Sequence, residues 1–484
     1  MGIIGILLAL GALIWLSFRG WSVLLLAPAA ALVAALLAGE PLLAHWTLTF
    51  MNAAARFVAQ FFPLFLLGAL FGKLMDDSGS VSAIARFMTE RLGPARAMTA
   101  VVLAGALVTY GGVSLFVAFF VLGPMAQALF RAANIPGRLM PAAIMLGTST
   151  FTMSALPGTP SIQNAIPMPF FGTTPFAAPG LGVIAAAIML GFGLWWLARR
   201  EAAARRAGEG YGDMAVAPSD AAGNPLVRER ASTAAAFDPA EVRHGQSDGA
   251  SAPAIAVALA PLVTVVLVNL ALSLAVLPRL NTAYLAEARW GGIALTAVSG
   301  VWSVIVALAA AIGVLVLLNR NRLPRLRETV DAGANASVLP VLSVASLVGF
   351  GAVVAALPAF AQVRDWVLGI DGGPLVSLAV AINTLAALTG SASGGMTIAL
   401  GALGETYLRL ATELGIDPAL MHRVAVIGAG TLDTLPHNGA VVTLLAVCGA
   451  THRQSYFDIL IACVVGPILA LAAVIALGSV FGSF

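Results

Sequence analysis

Asp433 and His437 are the residues whose types and spacing are best suited to moving a proton. They lie four positions apart in AVIGAGTLDTLPHNGAVVTLL, residues 425–445, an otherwise apolar stretch long enough to cross a bilayer. A carboxylate in the membrane is costly unless it is paired or solvated, and histidine changes its charge near physiological pH. On one helix face the pair predicts a proton-coupling site. The alternative is structural: Asp433 caps the half-helix after the break, and His437 binds a backbone carbonyl.

The same stretch contains a helix break. Pro436 lacks an amide hydrogen and clashes with the preceding turn, and Gly439 lowers helix propensity. In lipid, the freed backbone groups must be satisfied by protein or by a watery cavity, and transporters use such broken helices to meet substrates and ions. We therefore expect a binding site at this break, with Asn438 among its substrate-binding residues.

Composition places the chain in a membrane. It has 484 residues, of which 60% are hydrophobic and 10% charged, and its mean hydropathy is +0.96, far above the soluble range. The net charge is +3 with Lys73 as the only lysine, so the basic balance reflects loop arginines and not a nucleic-acid surface. Cys448 and Cys463 lack metal-ligand spacing and are expected in the core. We expect no cofactor, no metal and a retained apolar N-terminal helix.

Three further apolar stretches are interrupted by small or polar residues. Residues 97–130 and 374–404 each divide into two short arms, which predicts a re-entrant hairpin in each case; the earlier arms would measure roughly 20 Å. Residues 139–171 contain LPGTPSIQN, which predicts a second broken helix. Small residues allow close backbone approach, and free amides at the positive end of a half-helix bind anions. The alternative is that they only allow tight helix packing.

From these interruptions we predict the remaining substrate-binding residues. They are small or carry a hydroxyl or amide, groups suited to a hydroxylated carboxylate. They are Gly111, Gly112, Ser114, Thr159, Ser161, Gln163, Asn164, Ser391, Ser393 and Gly394.

The order of apolar segments predicts an all-α polytopic membrane protein built from an inverted repeat. Each half is expected to contain five transmembrane helices, one of them broken, plus one re-entrant hairpin; an odd number of spans per half gives the halves opposite topology. The predicted parts are residues 1–198, a flexible cytoplasmic linker at 199–252, and residues 253–484, with the broken helix of the second half at about 422–449.

Basic residues set the expected orientation. Most lie on the side of the linker, which is therefore predicted to be cytoplasmic. The arginines expected outside are Arg56, Arg279, Arg289, Arg364, Arg409 and Arg423. The histidines expected at the periphery are His45, His244, His422 and His452.

Two motifs resemble a known family. TLPHNGAVVTLLAVCGATHRQSY and LPGTPSIQNAIP are similar to motifs of the gluconate:proton symporter (GntP) family, within the ion transporter superfamily. The resemblance covers both halves but not the linker. It implies a proton-coupled permease of the bacterial inner membrane for a small organic anion, such as gluconate, a related sugar acid or 3-hydroxybutyrate. It also implies a homodimer in which hairpins and broken helices form a moving, elevator-type transport domain beside a scaffold.

Three other functions compete with proton-coupled symport. A sodium-coupled carrier of di- or tricarboxylates stays open, because broken helices and small hairpin tips also suit sodium sites. An intramembrane enzyme using Asp433 and His437 is disfavoured, because the sequence offers no nucleophile and base constellation and no second acid. A channel is disfavoured because two inverted halves indicate alternating access.

Overall fold

The computed structural model describes residues 2–19, 21–212, 228–229, 232, 237–242 and 252–484. The regular structure of these residues is helical, without a strand. Seven of the described helices are long and apolar enough to cross a membrane, or eight if one bent pair forms a single span. The predicted all-helical, polytopic membrane protein is therefore confirmed.

The helices described before the linker include long apolar rods and short pieces around the predicted breaks. A π-helical turn, His45–Phe50, joins the helices Leu42–Ala44 and Met51–Asp77, so residues 42–77 form one continuous helix of 36 residues. In chain order the α-helices are α1 (Gly2–Phe18), α2 (Val23–Ala38), α3 (Leu42–Ala44), α4 (Met51–Asp77), α5 (Ser80–Leu92), α6 (Ala97–Tyr110), α7 (Leu115–Ala132), α8 (Met140–Ser149), α9 (Phe151–Ser154), α10 (Ile162–Ala165), α11 (Pro167–Phe171) and α12 (Pro179–Arg206).

The helices described after the linker follow the same order of long pair, long helix, hairpin-like pair, broken helix and final helix. They are α13 (Ile255–Ala271), α14 (Ser299–Leu318), α15 (Leu326–Asn335), α16 (Val338–Ala356), α17 (Phe360–Leu368), α18 (Gly373–Thr389), α19 (Ala392–Glu413), α20 (Pro418–Thr431), α21 (Gly439–Val447), α22 (His452–Leu460) and α23 (Gly466–Phe481).

The long helices pack into a central layer. Helix α4 lies against α14, α15 and α16, and α16 also packs on α2. The pairs α1–α2 and α13–α14 flank this layer, and α12 packs against α23. Large apolar side chains such as Leu7, Trp195, Leu267 and Val480 are more than half exposed, as expected of surfaces that face lipid rather than water.

The predicted interruptions fall where the helices stop. Helix α6 ends at Tyr110 and α7 starts at Leu115; α18 ends at Thr389 and α19 starts at Ala392. Two arms are longer than predicted: α7 has 18 residues, enough to be a candidate span by length and composition, and α19 continues to Glu413, beyond the predicted end at residue 404. The predicted arm covers only the apolar residues, whereas helix α19 continues through polar and charged residues to Glu413.

The segment predicted as a flexible linker is packed where the structure describes it. Helix α12 continues to Arg206, so the predicted linker start at residue 199 lies inside a helix. The Gly137 amide donates to the Tyr211 carbonyl at 3.1 Å, and Tyr211 and Phe237 are both buried. The composition of this segment predicts disorder because the apolar partners of its residues belong to distant helices and are not visible in the local sequence. Residues 213–227, 230–231, 233–236 and 243–251, which include His244, lie outside the described residues.

Candidate functional site

A cavity of about 70 Å³ lies between α4, the α6–α7 break and the loop before α10. Since one water needs roughly 10–15 Å³ of such volume, the cavity has room for about five waters or a similarly small molecule. No side chain among its described lining residues is charged. The lining residues are Leu64, Phe65, Gly68, Ala69, Thr109, Gly112, Val113, Ser114, Leu115, Met153, Pro160, Ser161, Ile162, Gln163 and Phe237.

Backbone geometry at the two breaks shapes this cavity. Gly112 has a φ of +99°, a conformation that favours glycine, and a Cβ there would lie 2.8 Å from Pro160 Cγ. Ser114 caps α7 by accepting from the Phe116 amide at 3.3 Å. Ser161 caps α10, and its hydroxyl donates to the Met153 carbonyl at 2.8 Å. The connection between α6 and α7 thus packs against the helix break between α9 and α10.

Gln163 is the unsatisfied polar group of the cavity. Its side chain is 3% exposed, and both amide atoms lack a hydrogen-bond partner among the described residues. An unsatisfied buried donor or acceptor costs about 1–3 kcal/mol. The cavity also reaches Ser114 and Leu115 at the N-terminus of α7, where first-turn amides have no intrahelical acceptor and the helix dipole favours an anion. A ligand with a carboxylate and a hydroxyl would satisfy both groups.

Asp433 and Asn438 form a second polar cluster at the other predicted break. Asp433 Oδ1 accepts from the Ala392 amide at 2.8 Å and from Asn438 Nδ2 at 3.0 Å. Asn438 Nδ2 also donates to the Gly390 carbonyl at 2.9 Å. Asn438 caps α21 by accepting from the Ala440 amide at 2.7 Å. Asp433 is therefore not the cap of α21; its carboxylate instead binds the N-terminus of α19.

His437 occupies the same break but the predicted shared helix face does not form. Helix α20 ends at Thr431 and α21 begins at Gly439. Asp433 and His437 therefore both lie in the non-helical segment between these helices, which also contains Pro436. His437 Nε2 donates to the Ala387 carbonyl at 3.1 Å, which is the structural alternative raised by the sequence. The proton-coupling roles of the two residues stay predictions.

The serines at the second hairpin tip bind the start of α19. Ser391 caps this helix by accepting from the Gly394 amide at 3.1 Å, and the Ser391 and Ser393 hydroxyl oxygens lie 3.2 Å apart. We call the group of Ser391, Ser393, Asp433, His437 and Asn438 the Asp433 cluster. None of these residues lines the cavity described above.

The structure places most of the predicted site residues in two separate groups. Gly112, Ser114, Ser161 and Gln163 line the cavity. Three other residues predicted in the first half do not line it. A Cβ at Gly111 would lie 2.3 Å from Leu262 Cδ2, so that glycine serves close packing; Thr159 accepts from the Ser161 amide and, through its carbonyl, from Asn164 Nδ2 at 3.0 Å.

Two buried residues that were not predicted connect the two broken helices. His422 and Arg423 are fully buried, so the expected peripheral position of His422 is wrong, whereas the membrane side expected for Arg423 stays a prediction. The His422 ring lies between Asn164 and Thr173, with ring nitrogens 3.1 Å from Asn164 Oδ1 and 2.6 Å from Thr173 Oγ1.

Arg423 binds only backbone carbonyls among the partners described. Its guanidinium donates to Ala177 at 2.6 and 3.1 Å, to Ala155 at 3.1 Å and to Ser154 at 3.3 Å. These carbonyls belong to the end of α9 and to the loop before α12, where the chain is not helical and needs donors. Arg423 thus holds the first broken helix against α20.

Comparison with known proteins agrees with this architecture. The model of the GntP family permeases matches residues 1–168. Over 489 aligned positions the chain is 41% identical to the uncharacterized transporter YxjC of Bacillus subtilis (strain 168), covering 100% of both chains. The chain belongs to the GntP family of permeases. This permease is accordingly a multi-pass membrane transporter and not an enzyme.

The fold of this GntP family permease is also similar to a solved transporter structure. The crystal structure of the Alcanivorax borkumensis YdaH transporter, which reveals an unusual topology, aligns with a TM-score of 0.54. The alignment covers 91% of this chain and 89% of that chain at 17% identity. At this identity the similarity concerns the fold alone.

Proposed function

We propose that this permease is a proton-coupled symporter of a short hydroxylated monocarboxylate, with the cavity at Gln163 as its substrate site. The observation that carries the proposal is the buried, unpartnered amide of Gln163 beside the N-terminus of α7. The substrate carboxylate would accept from the Leu115 amide in the first turn of α7 and from Gln163 Nε2, and the substrate hydroxyl would bind Gln163 Oε1 or Ser161.

Size and charge favour a short monoanion. The cavity has room for about five waters, which is closer to the roughly seven heavy atoms of 3-hydroxybutyrate than to the roughly thirteen of gluconate. Because the described lining residues include no cation, each substrate charge would rest on amides and one helix dipole alone. Such donors suit one carboxylate better than two or three, since an unpaired second charge would be costly to bury. Both features argue against the di- or tricarboxylate alternative.

Alternating access would follow from an inverted repeat, which the packing pattern supports. Helix α6 packs on α8 as α18 packs on α20; α2 packs on α16 as α14 packs on α4. The contacts between α4 and α16 and between α12 and α23 join equivalent positions of the two halves. In the proposal, the hairpin-like pairs and broken helices move as an elevator against the long-helix layer.

Proton coupling is assigned to the Asp433 cluster. Asp433 is 9% exposed and binds the N-terminus of α19, where a helix dipole favours its charged form. Loss of that charge on protonation would weaken the contact between α19 and the break that contains Asp433. Proton binding would therefore change how these two elements pack. His437, bonded to α18, would be the second group that gains or loses charge.

The proposal is tested by uptake into proteoliposomes. Labelled 3-hydroxybutyrate and gluconate are each offered with an inward proton gradient, with a sodium gradient alone, and with neither. We expect 3-hydroxybutyrate to accumulate only with the proton gradient and gluconate to be taken up poorly. Accumulation with a sodium gradient alone would show that sodium, and not the proton, is the coupling ion. Preferential uptake of gluconate would refute the argument from the size of the cavity.

A further inference from the structure

The side chain of Phe237 forms part of the cavity wall although it comes from the segment between the two halves. It is fully buried. A Cβ built at Gly72 of α4 would lie 3.9 Å from Phe237 Cε2 and 3.5 Å from the Ser114 nitrogen. The ring therefore sits beside the N-terminus of α7, where the proposed substrate carboxylate would bind. Burying a phenylalanine side chain is worth about 1.5–3 kcal/mol, so this position is favourable.

Polar contacts anchor the residue that follows. The Asp238 amide donates to the Ala336 carbonyl at 2.9 Å, next to the end of α15, which packs on α4. The Asp238 carboxylate, 1% exposed, accepts from Arg228 Nε at 2.8 Å and from the Ala240 amide at 3.0 Å. The aromatic ring is thus held against α4 by bonds to elements outside the cavity.

We infer that Phe237 is a gate residue: its ring closes the substrate cavity on the linker side, and the cavity opens there when residues 237–242 leave their place on α4 and α15. An alternating-access site must open toward one side at a time. A wall supplied by a connecting segment can move without repacking the long helices. This inference rests on the proposed function in taking the cavity as the substrate site.

Cysteine labelling tests the gate without any substrate. Gly68 lines the cavity, and a Cβ there meets nothing within 4 Å, so Gly68→Cys places a thiol in the cavity without a clash. The native Cys448 and Cys463 are fully buried, which keeps background labelling low. The rate of reaction with a water-soluble maleimide is measured on the purified full chain. We expect Phe237→Ala to raise the Gly68→Cys rate at least about tenfold.

A matched variant controls for general loosening of the segment. Tyr211 is also buried and aromatic, but it lies 5.2 Å from the Arg131 guanidinium and does not line the cavity. Tyr211→Ala should leave the labelling rate unchanged. Asp238→Asn, which weakens the bond to Arg228, should give an intermediate rate, and it decides the question if Phe237→Ala does not fold.

The outcomes separate the gate from the proposed function. An unchanged rate in folded Phe237→Ala, or equal acceleration by Tyr211→Ala, would overturn the gate even if uptake of 3-hydroxybutyrate is confirmed. Accelerated labelling in Phe237→Ala and Asp238→Asn alone would support the gate even if neither organic acid is transported, in which case only the substrate assignment fails.

Discussion

His422 and Asn164 join the two broken helices of the permease through a single hydrogen bond. Asn164 Nδ2 donates to the carbonyls of Thr159 and Pro175 at 3.0 and 3.1 Å, which fixes its oxygen toward His422. Nε2 of His422 must therefore donate across the 3.1 Å contact. In the neutral ring, Nδ1 then accepts from the Thr173 hydroxyl at 2.6 Å.

Replacing His422 should separate a donor effect from a volume effect. His422→Leu leaves Asn164 Oδ1 and the Thr173 hydroxyl without this partner, at a cost of about 1–3 kcal/mol for each group. His422→Gln retains an amide donor for Asn164 and should lose less. We expect the thermal unfolding midpoint in detergent to fall in the order unsubstituted, His422→Gln, His422→Leu. Equal midpoints for the two variants would show that the Asn164 bond contributes nothing.

The helix breaks are predictable from the sequence, but the hydrogen bonds that connect them are not. Pro436 and Gly439 interrupt a helix through their own backbone chemistry, so their effect is visible locally. The burial of His422 and Arg423 was not predicted, because their partners lie about 250 residues earlier in the chain, at Asn164 and around Ala177. Burial of these residues depends on how α20 packs, which no local pattern determines.

The cavity itself was predictable only in part. Gly112, Ser114 and Gln163 stood out because small and polar residues interrupt apolar runs there. Phe237 did not, because a single aromatic residue in a polar linker gives no sign of the helix that it contacts. The placement of the Asp433 cluster outside this cavity likewise depends on the packing of α18–α20, not on the motif.

Arg423 should be a major contributor to stability. Arg423→Met leaves three carbonyls without their donor, which at about 1–3 kcal/mol each predicts a loss of at least about 3 kcal/mol. Arg423→Lys keeps the charge but not the planar fork, so it should lose less. The matched control is Arg409→Met, because the Arg409 side chain is 68% exposed and 3.8 Å from Glu413. Thermal unfolding in detergent measures all three; a midpoint for Arg423→Met equal to that of the control would contradict the prediction.

Gln163 should matter for substrate affinity and not for stability. Loss of a hydrogen bond to a charged group costs about 1.5–3 kcal/mol, so Gln163→Leu should raise the KM for the transported acid about tenfold or more. Because the native amide has no described partner, the unfolding midpoint should stay the same or rise. Gln60→Leu, at an exposed position of α4, controls for the change in polarity. An unchanged KM for Gln163→Leu would exclude the amide from substrate binding.

Glu209 should give the permease a pH-dependent contact outside the membrane. Arg138 donates to this carboxylate at 2.7 and 2.9 Å and lowers the Glu209 pKa below its ordinary 4.5; Arg138 also binds the buried Asp458 at 2.9 Å. Because the folded-state pKa is lowered, the stabilisation is present above the ordinary pKa and is lost as the pH falls through the lowered value.

The corresponding measurement compares unfolding midpoints across pH. Glu209→Gln should lower the midpoint at pH 7, and the difference from the unsubstituted protein should disappear once the pH has fallen below the lowered pKa of Glu209. Glu413→Gln, at an exposed pair with Arg409, should change the midpoint little at either pH. A constant difference between Glu209→Gln and the unsubstituted protein at every pH would mean that the ionised carboxylate is not what stabilises the contact.

Asp433→Asn should uncouple transport from the proton while leaving the fold intact. An asparagine oxygen can still accept from the Ala392 amide and from Asn438 Nδ2, as Asp433 Oδ1 does at 2.8 and 3.0 Å, but its charge no longer changes. The variant should therefore retain exchange of labelled for unlabelled substrate across proteoliposomes and lose accumulation driven by a pH gradient. Asp417→Asn is the matched control, because Asp417 is the cap of α20 and does not belong to the Asp433 cluster. If Asp433→Asn still accumulates substrate against its gradient, the coupling proton binds elsewhere, and His437 becomes the residue to substitute next.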